Sequence, residues 1–256
     1  MQIEEKFLSG QEINEAYSLR LQNTKQNTNL SRIQYLLEKV AKKRIIHLGF
    51  CDHMHLIDKQ RQNGFWLHEK LCKVASRCVG IDINIEAVNY VKSLGFDDVY
   101  CVDVTIPISQ VMKNVLNANE PYDYILIPDV IEHIDNPVEF MKALKNNYGS
   151  YYRNIIITVP NAFWVKNVEN VIRNKEVINT DHKVLFSPYT LTKCLYMAGI
   201  SVTNFYFADN EWERATDFRL HWKLPLRIIK YLIIRTATLL FPALRGVIIC
   251  ECNNET

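Results

Sequence analysis

The sequence predicts an α/β fold: a doubly wound, mostly parallel sheet with one antiparallel edge strand and a helical insertion before the last strand. Three observations predict it. Short runs that are apolar on both faces recur from Arg44 onward: RIIHL, CVGID, DVYCVD, YDYILIPDV and NIIITVP. Helical patterns such as IEAVNYVKSLG and NPVEFMKALKNN separate them. Strands of that kind alternating with helices belong in a parallel sheet covered on both sides. Two late runs, SVTNFYFAD and GVIICECN, read as strands that pair antiparallel at one edge.

In chain order, residues 1–30 are rich in Asn, Gln and Glu and read as a polar arm or short helices lying on the main domain. Residues 31–43 read as an amphipathic helix capped by Ser31, with Ile33, Leu36, Leu37 and Val40 on one face. The chain thus divides into an arm and helix, 1–43, and a main domain, 44–256. After the first strand an enlarged loop, MHLIDKQRQNGFWLHEK, precedes the second. Asp135, Asn136 and Pro137 read as a helix start. Residues 211–245 form the insertion. With seven Lys and Arg against three Asp and Glu, it is locally basic. Within it Pro225 opens a helix over about 226–241, with Arg227, Lys230 and Arg235 on one side and Ile228, Ile229, Leu232, Ile233, Leu239 and Leu240 filling most of the rest. Such a helix either lies in a membrane interface or covers the sheet edge, the active site or a dimer partner.

Composition narrows the function classes. A formal charge of +2 does not argue for nucleic acid or membrane as a whole-chain partner. The seven cysteines include no CxxC pair, so the spacing suggests neither a zinc knuckle nor a thioredoxin-type site. Their odd number and apolar surroundings fit free thiols in a reducing compartment. The first residues carry acids and no apolar signal core, and no run of about 18 apolar residues occurs. A cytoplasmic protein is expected, with peripheral membrane contact through 222–241 as the open alternative.

In open α/β sheets, ligands bind beyond the carboxyl ends of the strands. The residues there are Gly49-Phe50-Cys51-Asp52-His53, then Asp82-Ile83-Asn84, Asp103-Val104, Asp129-Val130-Ile131-Glu132-His133 and Pro160-Asn161. Acids end three successive strands. Asp82 and Asp103 either hold a ligand or cap helices. His47, inside a strand, reads as a hydrogen-bonded core histidine. Cys51 reads as a small buried residue, because no basic neighbour is evident to activate it.

Taken together, IIHLGFCDH, CVGIDINIEAV, YDYILIPDVIEHIDNPVEFMKAL, IIITVPN and DHKVLFSPYTLTKCLYMAGI resemble the class I S-adenosylmethionine-dependent methyltransferases, in the branch with an EH segment after strand four. The resemblance spans about 44–207 and implies a Rossmann-like sheet. It implies that Gly49 lets the backbone approach the cofactor's methionine portion, as a residue without Cβ can. Cys51 and Asp52 belong to a GCxD-like variant of that loop, with Asp52 at the cofactor's ammonium. Asp82 accepts the ribose hydroxyls, Ile83 lies on the adenine face, Asp103 and the backbone of Val104 meet the adenine edge, and Asp129 sits beneath the methionine end. The motif departs from the family at His47, where an acid is usual, and at Cys51 and His53, where glycines are usual.

Asp129, Glu132 and His133, with His182 farther along, form the sharpest chemical pattern. Offsets of three and four place the first three on one surface. Two carboxylates and two imidazoles suit magnesium or another divalent ion, a pattern that resembles small-RNA 2′-O-methyltransferases and metal-requiring quinone O-methyltransferases. Without a metal, Glu132, His133 and His182 remain the catalytic candidates, either imidazole serving as general base. The expected activity is methyl transfer to oxygen on a small-molecule or glycan-type acceptor. The alternatives are a metal-dependent quinone or RNA enzyme and a non-catalytic cofactor-binding module. Nucleic acid is the less favoured partner, since no aromatic-rich basic surface stands out beyond the insertion.

Overall fold

A computed structural model describes residues 3–21, 31–51, 54–209 and 224–254. Asp52 and His53 lie outside the described residues, as do the first part of the insertion and the side chains of Arg227 and Lys230. Seven strands form one sheet in the order β3-β2-β1-β4-β5-β7-β6. They are β1 (Arg44–Leu48), β2 (Arg77–Asp82), β3 (Val99–Cys101), β4 (Tyr122–Pro128), β5 (Tyr152–Pro160), β6 (Ser201–Ala208) and β7 (Val247–Asn253). Strands β1 to β5 pair parallel. The reversed strand is β7, which runs antiparallel to both neighbours and sits one place in from the edge strand β6.

The doubly apolar strands are explained by their two faces. Ile45, Leu126, Ile156 and Ile249 pack with Leu36, Val40 and Leu71. Those last three come from α2 (Arg32–Val40) and α4 (Leu67–Val74). The neighbouring residues Ile46, Ile125, Ile127, Ile155, Ile157 and Ile248 point to the opposite face. There they meet α6 (Gln110–Leu116), α7 (Pro137–Tyr148) and α9 (Pro188–Met197) through Met112, Leu144 and Leu195. A third cluster, with Phe50, Ile57, Trp66 and Val88, joins α3 (Met54–Gln62) and α5 (Ile85–Ser93) to the sheet. Each fully buried isoleucine contributes roughly 1.5–3 kcal/mol by leaving water.

Helix starts follow the expected chemistry. Ser31 accepts from the Gln34 amide to cap α2, and Asn136 accepts from Glu139 ahead of Pro137. The N-terminal arm is docked: α1 (Glu5–Ser9) buries Phe7 and Leu8, and Tyr196 of α9 donates to Glu5. The expected enlarged loop after β1 is instead the helical pair α3 and α4. Its polar sequence hides the few apolar residues, Ile57, Trp66 and Leu71, that anchor it. The order of the strands reverses between β1 and β4, which makes their carboxyl ends the switch point.

Candidate active site

Gly49 ends β1 with φ +71°, and a Cβ there would meet a Val130 methyl carbon at 2.4 Å. Only glycine meets both conditions without strain. Across the switch point, Asp129 holds φ +52° without being glycine. Such backbone is sparsely populated and is characteristic of functional positions. Around these two residues the surface opens into adjoining cavities.

The first cavity, about 600 Å³, is lined by Gly49, Asp82, Ile83, Asp103, Val104 and His133 among others. Asp82 accepts from the backbone N–H of Cys51 at 3.1 Å and of Asn84 at 2.9 Å, tying the β1 loop to the end of β2. Asn84, not Asp82, caps α5. Asp103 accepts from the backbone and hydroxyl of Thr105, and Ser109 caps α6. The cap alternative for the two acids therefore falls to their neighbours. Ile83 is exposed and Val104 buried, an apolar strip beside two carboxylates. Cys51 is buried.

A second cavity, about 380 Å³, shares Gly49 and His133 with the first and adds Arg32, His47, Asp129, Glu132 and His182. The 3-10 turn Ile131–His133 follows β4 directly and carries Glu132 inward. The Glu132 carboxyl is fully buried and both its oxygens lack a hydrogen-bond partner. Burial, and then the nearby Asp129 charge, push its pKa up to about 9. Its backbone carbonyl accepts from Lys183 and Val184, which brings the preceding His182 to the site. Glu132, His133 and His182 offer ligand atoms all within 4.8 Å of one another. The two imidazoles stand edge to face, 4.7 Å between centroids. Desolvation, then His133, lowers the pKa of His182.

The fourth expected metal ligand is turned elsewhere. Asp129 pairs with the guanidinium of Arg32 and accepts from Thr158 at 3.0 Å. Arg32 was not among the candidates, although a basic residue in a helix's first turn opposes the macrodipole and is a signal in itself. Asp181 was also missed: it lies 2.9 Å from His133 Nδ1. That contact fixes Nδ1–H as donor and leaves Nε2 free to accept a proton. Asn179 donates to His182 Nε2 at 3.2 Å, and its own oxygen accepts from the Asp181 amide. His47 is a buried histidine with its Nδ1 3.1 Å from that of His68.

A third cavity, about 590 Å³, opens from Asp129 and His182 past Asn161 and Trp164 toward Val171 and Ile178. It lies against α8 (Val165–Ile172), which touches the insertion helix α10 (Leu224–Leu240). Val171 and Ile172 of α8 and Ile229, Leu232 and Ile233 of α10 are exposed, whereas Arg235 pairs with Asp209 at 3.0 Å. Among the described residues no helix is long and apolar enough to cross a membrane.

No family model matches the sequence, and no curated protein matches it. Solved structures do match. Small RNA methyltransferase HEN1 superposes with a TM-score of 0.52 and 15% identity, over 96% of this chain and 27% of that one. A SAM-dependent methyltransferase from Archaeoglobus fulgidus gives 0.48 at 16% identity, over 87% of this chain and 91% of that one. Magnesium protoporphyrin IX methyltransferase from Synechocystis, solved with bound S-adenosylhomocysteine, gives 0.49 at 12%, over 87% and 80%. The chain has the class I methyltransferase fold. In that fold the sheet's switch point, where Gly49 and Asp129 stand, is the place for the ligand.

Proposed function

We propose that this chain transfers the methyl group of S-adenosylmethionine to an oxygen of a small-molecule or glycan-type acceptor. The observation that carries the reading is the meeting of two unlike cavities at Gly49 and His133, one with an apolar strip beside Asp82 and Asp103, the other acidic and imidazole-lined. The first suits a nucleoside: Asp82 and Asp103 toward ribose and base, Ile83 against the ring. The second suits a hydroxyl that must lose a proton. His133, oriented by Asp181, would take that proton on Nε2 and leave the oxygen nucleophilic; S-adenosylmethionine bound in the first cavity would supply the methyl group and depart as the neutral thioether. Alignment of oxygen, carbon and sulfur supplies most of the rate.

Calorimetry with S-adenosylmethionine tests the reading. Asp82→Ala weakens binding by about 1.5–3 kcal/mol, the range for hydrogen bonds to a charged group. Unchanged affinity overturns the ribose assignment, and no binding by the parent chain leaves a non-catalytic module.

A second reading, a metal-dependent enzyme acting on a quinone or RNA hydroxyl, is favoured by one specific feature. Glu132 has two buried oxygens without partners beside two imidazoles, a donor set that fits a borderline divalent ion better than magnesium. Glu132, His133 and His182 would hold the ion, which would supply Lewis acidity to a substrate hydroxyl. Asp129 belongs to Arg32 in this arrangement. Chelator that removes activity but leaves cofactor affinity intact supports this reading over the metal-free one. We also propose that the exposed apolar faces of α8 and α10 rest on a membrane surface and present an acceptor with an apolar portion. Sedimentation with anionic vesicles, abolished in Leu232→Asp/Ile233→Asp, is the expected result; an unbound parent protein overturns it.

A further inference from the structure

A second cluster of metal-ligating side chains stands apart from the acidic cavity. His68 and Cys72 lie one turn apart on α4, and Cys78 lies at the start of β2, against which α4 packs. Their ligand atoms fall within 4.8 Å of one another. Cys72 Sγ is 3.6 Å from His68 Nε2, and Cys78 Sγ is 3.8 Å from His68 Nδ1. From the neighbouring strand, His47 brings its Nδ1 to 3.1 Å from His68 Nδ1. In the β1–β2 register Ile45 stands beside Cys78 and His47 beside Gly80. Gly80 keeps the space clear, since a Cβ there would meet His68 Cε1 at 3.0 Å and Phe50 at 2.8 Å.

We propose that His68, Cys72 and Cys78 bind a zinc-class cation, with a water completing the tetrahedral coordination. Two sulfurs and one imidazole nitrogen match the preference of a borderline-soft ion. With bonds of about 2.3 Å to sulfur and about 2.0–2.1 Å to nitrogen, donor atoms in a tetrahedron stand roughly 3.3–3.8 Å apart. One nitrogen of His68 and the two sulfurs lie within 4.8 Å of one another, so small side-chain rotations bring them into that range. Charge also balances: the two thiols release their protons to solvent, and two thiolates with a neutral imidazole and a water neutralise the dication. His47, His68 and Cys78 are buried, while Cys72 is half-buried and offers an entry route. The role is a brace. The ion pins α4 to β2 beside His47, whose ring also lines the second cavity.

Sequence spacing concealed this site, because five residues instead of two separate its thiols and its histidine stands one helical turn before Cys72. The test uses the full chain, stripped with chelator under reductant and titrated with cobalt(II) alone. One equivalent of cobalt should give a thiolate-to-cobalt charge-transfer band and the strong visible absorption of a tetrahedral ion, with zinc displacing it. Cys72→Ser and Cys78→Ser should each lose the band while still binding S-adenosylmethionine, which shows that they fold. Glu132→Gln/His182→Ala should keep it, separating this cluster from the acidic one. A parent protein that is folded but gives no thiolate band overturns the proposal. So does a band that survives in the Cys72→Ser/Cys78→Ser double variant.

Discussion

Two buried glutamates on the same sheet meet opposite fates. Glu251, in the middle of β7, accepts from Tyr35 and from Asn204 at 2.8 Å and pairs with Lys39 at 2.5 Å. Burial alone would raise its pKa, but these bonds outweigh burial and hold it below the ordinary carboxylate range. Glu132, after β4, is more deeply buried and has none of this, and its pKa is pushed up to about 9 by desolvation and by Asp129. A buried carboxyl with every partner supplied holds structure together, here α2 to β7. A buried carboxyl left without partners costs stability and is kept for a ligand or for chemistry.

The largest expected effect separates the two by pH. A carboxyl whose folded pKa is raised contributes fully below its unfolded value, about 4.5, and that contribution is lost as pH rises through about 9. Each unit inside that window removes at most about 1.4 kcal/mol. Between pH 6 and 8 the chelated parent protein should therefore lose about 3 kcal/mol relative to Glu132→Gln. Urea denaturation at the two pH values measures this. Parallel profiles would mean that Glu132 is ionised and solvated in the folded state.

Glu251→Gln should show the opposite sign. The parent carboxyl has a depressed folded pKa, so its contribution is present above about 4.5 and fades as pH falls through the folded value. Losing a charged acceptor with three partners should lower stability by about 2 kcal/mol at pH 7. The deficit should shrink in acid, and cofactor affinity should not change. A variant as stable as the parent at pH 7 would mean that the Lys39 and Tyr35 contacts contribute nothing net, as exposed ion pairs often do.

The same contrast shows what the sequence made legible. Strands β1, β2, β4, β5 and β7 stand out because residues such as Ile45 and Ile46, or Ile156 and Ile157, must be apolar on both faces of a covered parallel sheet. Gly49, Asp82, Asp103 and Asp129 could be picked because strand ends are where such sheets bind ligands. Long-range pairing could not be read. Its place after a strand end made Glu132 a candidate, but the sequence does not show that its carboxyl stays without partners while Lys39, Tyr35 and Asn204 reach Glu251 from distant positions. Arg32 is hidden in an amphipathic helix for the same reason, and the α3–α4 pair is hidden by its polar surface. His68 is meaningful only once α4 is laid against β1 and β2.

The smallest effect is also the one that decides what Glu132 is kept for. If Glu132, His133 and His182 form a divalent site, manganese as the probe should stabilise the folded chain by about 1.4 kcal/mol at ten times its dissociation constant. Manganese prefers oxygen donors over thiolate, so the cysteine cluster is a weak competitor for it. Binding must expel the proton that Glu132 holds with a pKa of about 9, so the stabilisation should grow from pH 6 to pH 8. Glu132→Gln and His182→Ala should remove the response, and Glu251→Gln should retain it in full. Asp129→Asn is the sharpest arm. Asp129 is engaged by Arg32 and Thr158, so its replacement should leave the manganese response in place. Loss of the response in Asp129→Asn would show that Asp129 leaves Arg32 to join the ion, restoring the four-ligand set that the sequence suggested. A response that persists in Glu132→Gln would end the metal reading, and His133 with Asp181 would stand as the base on its own.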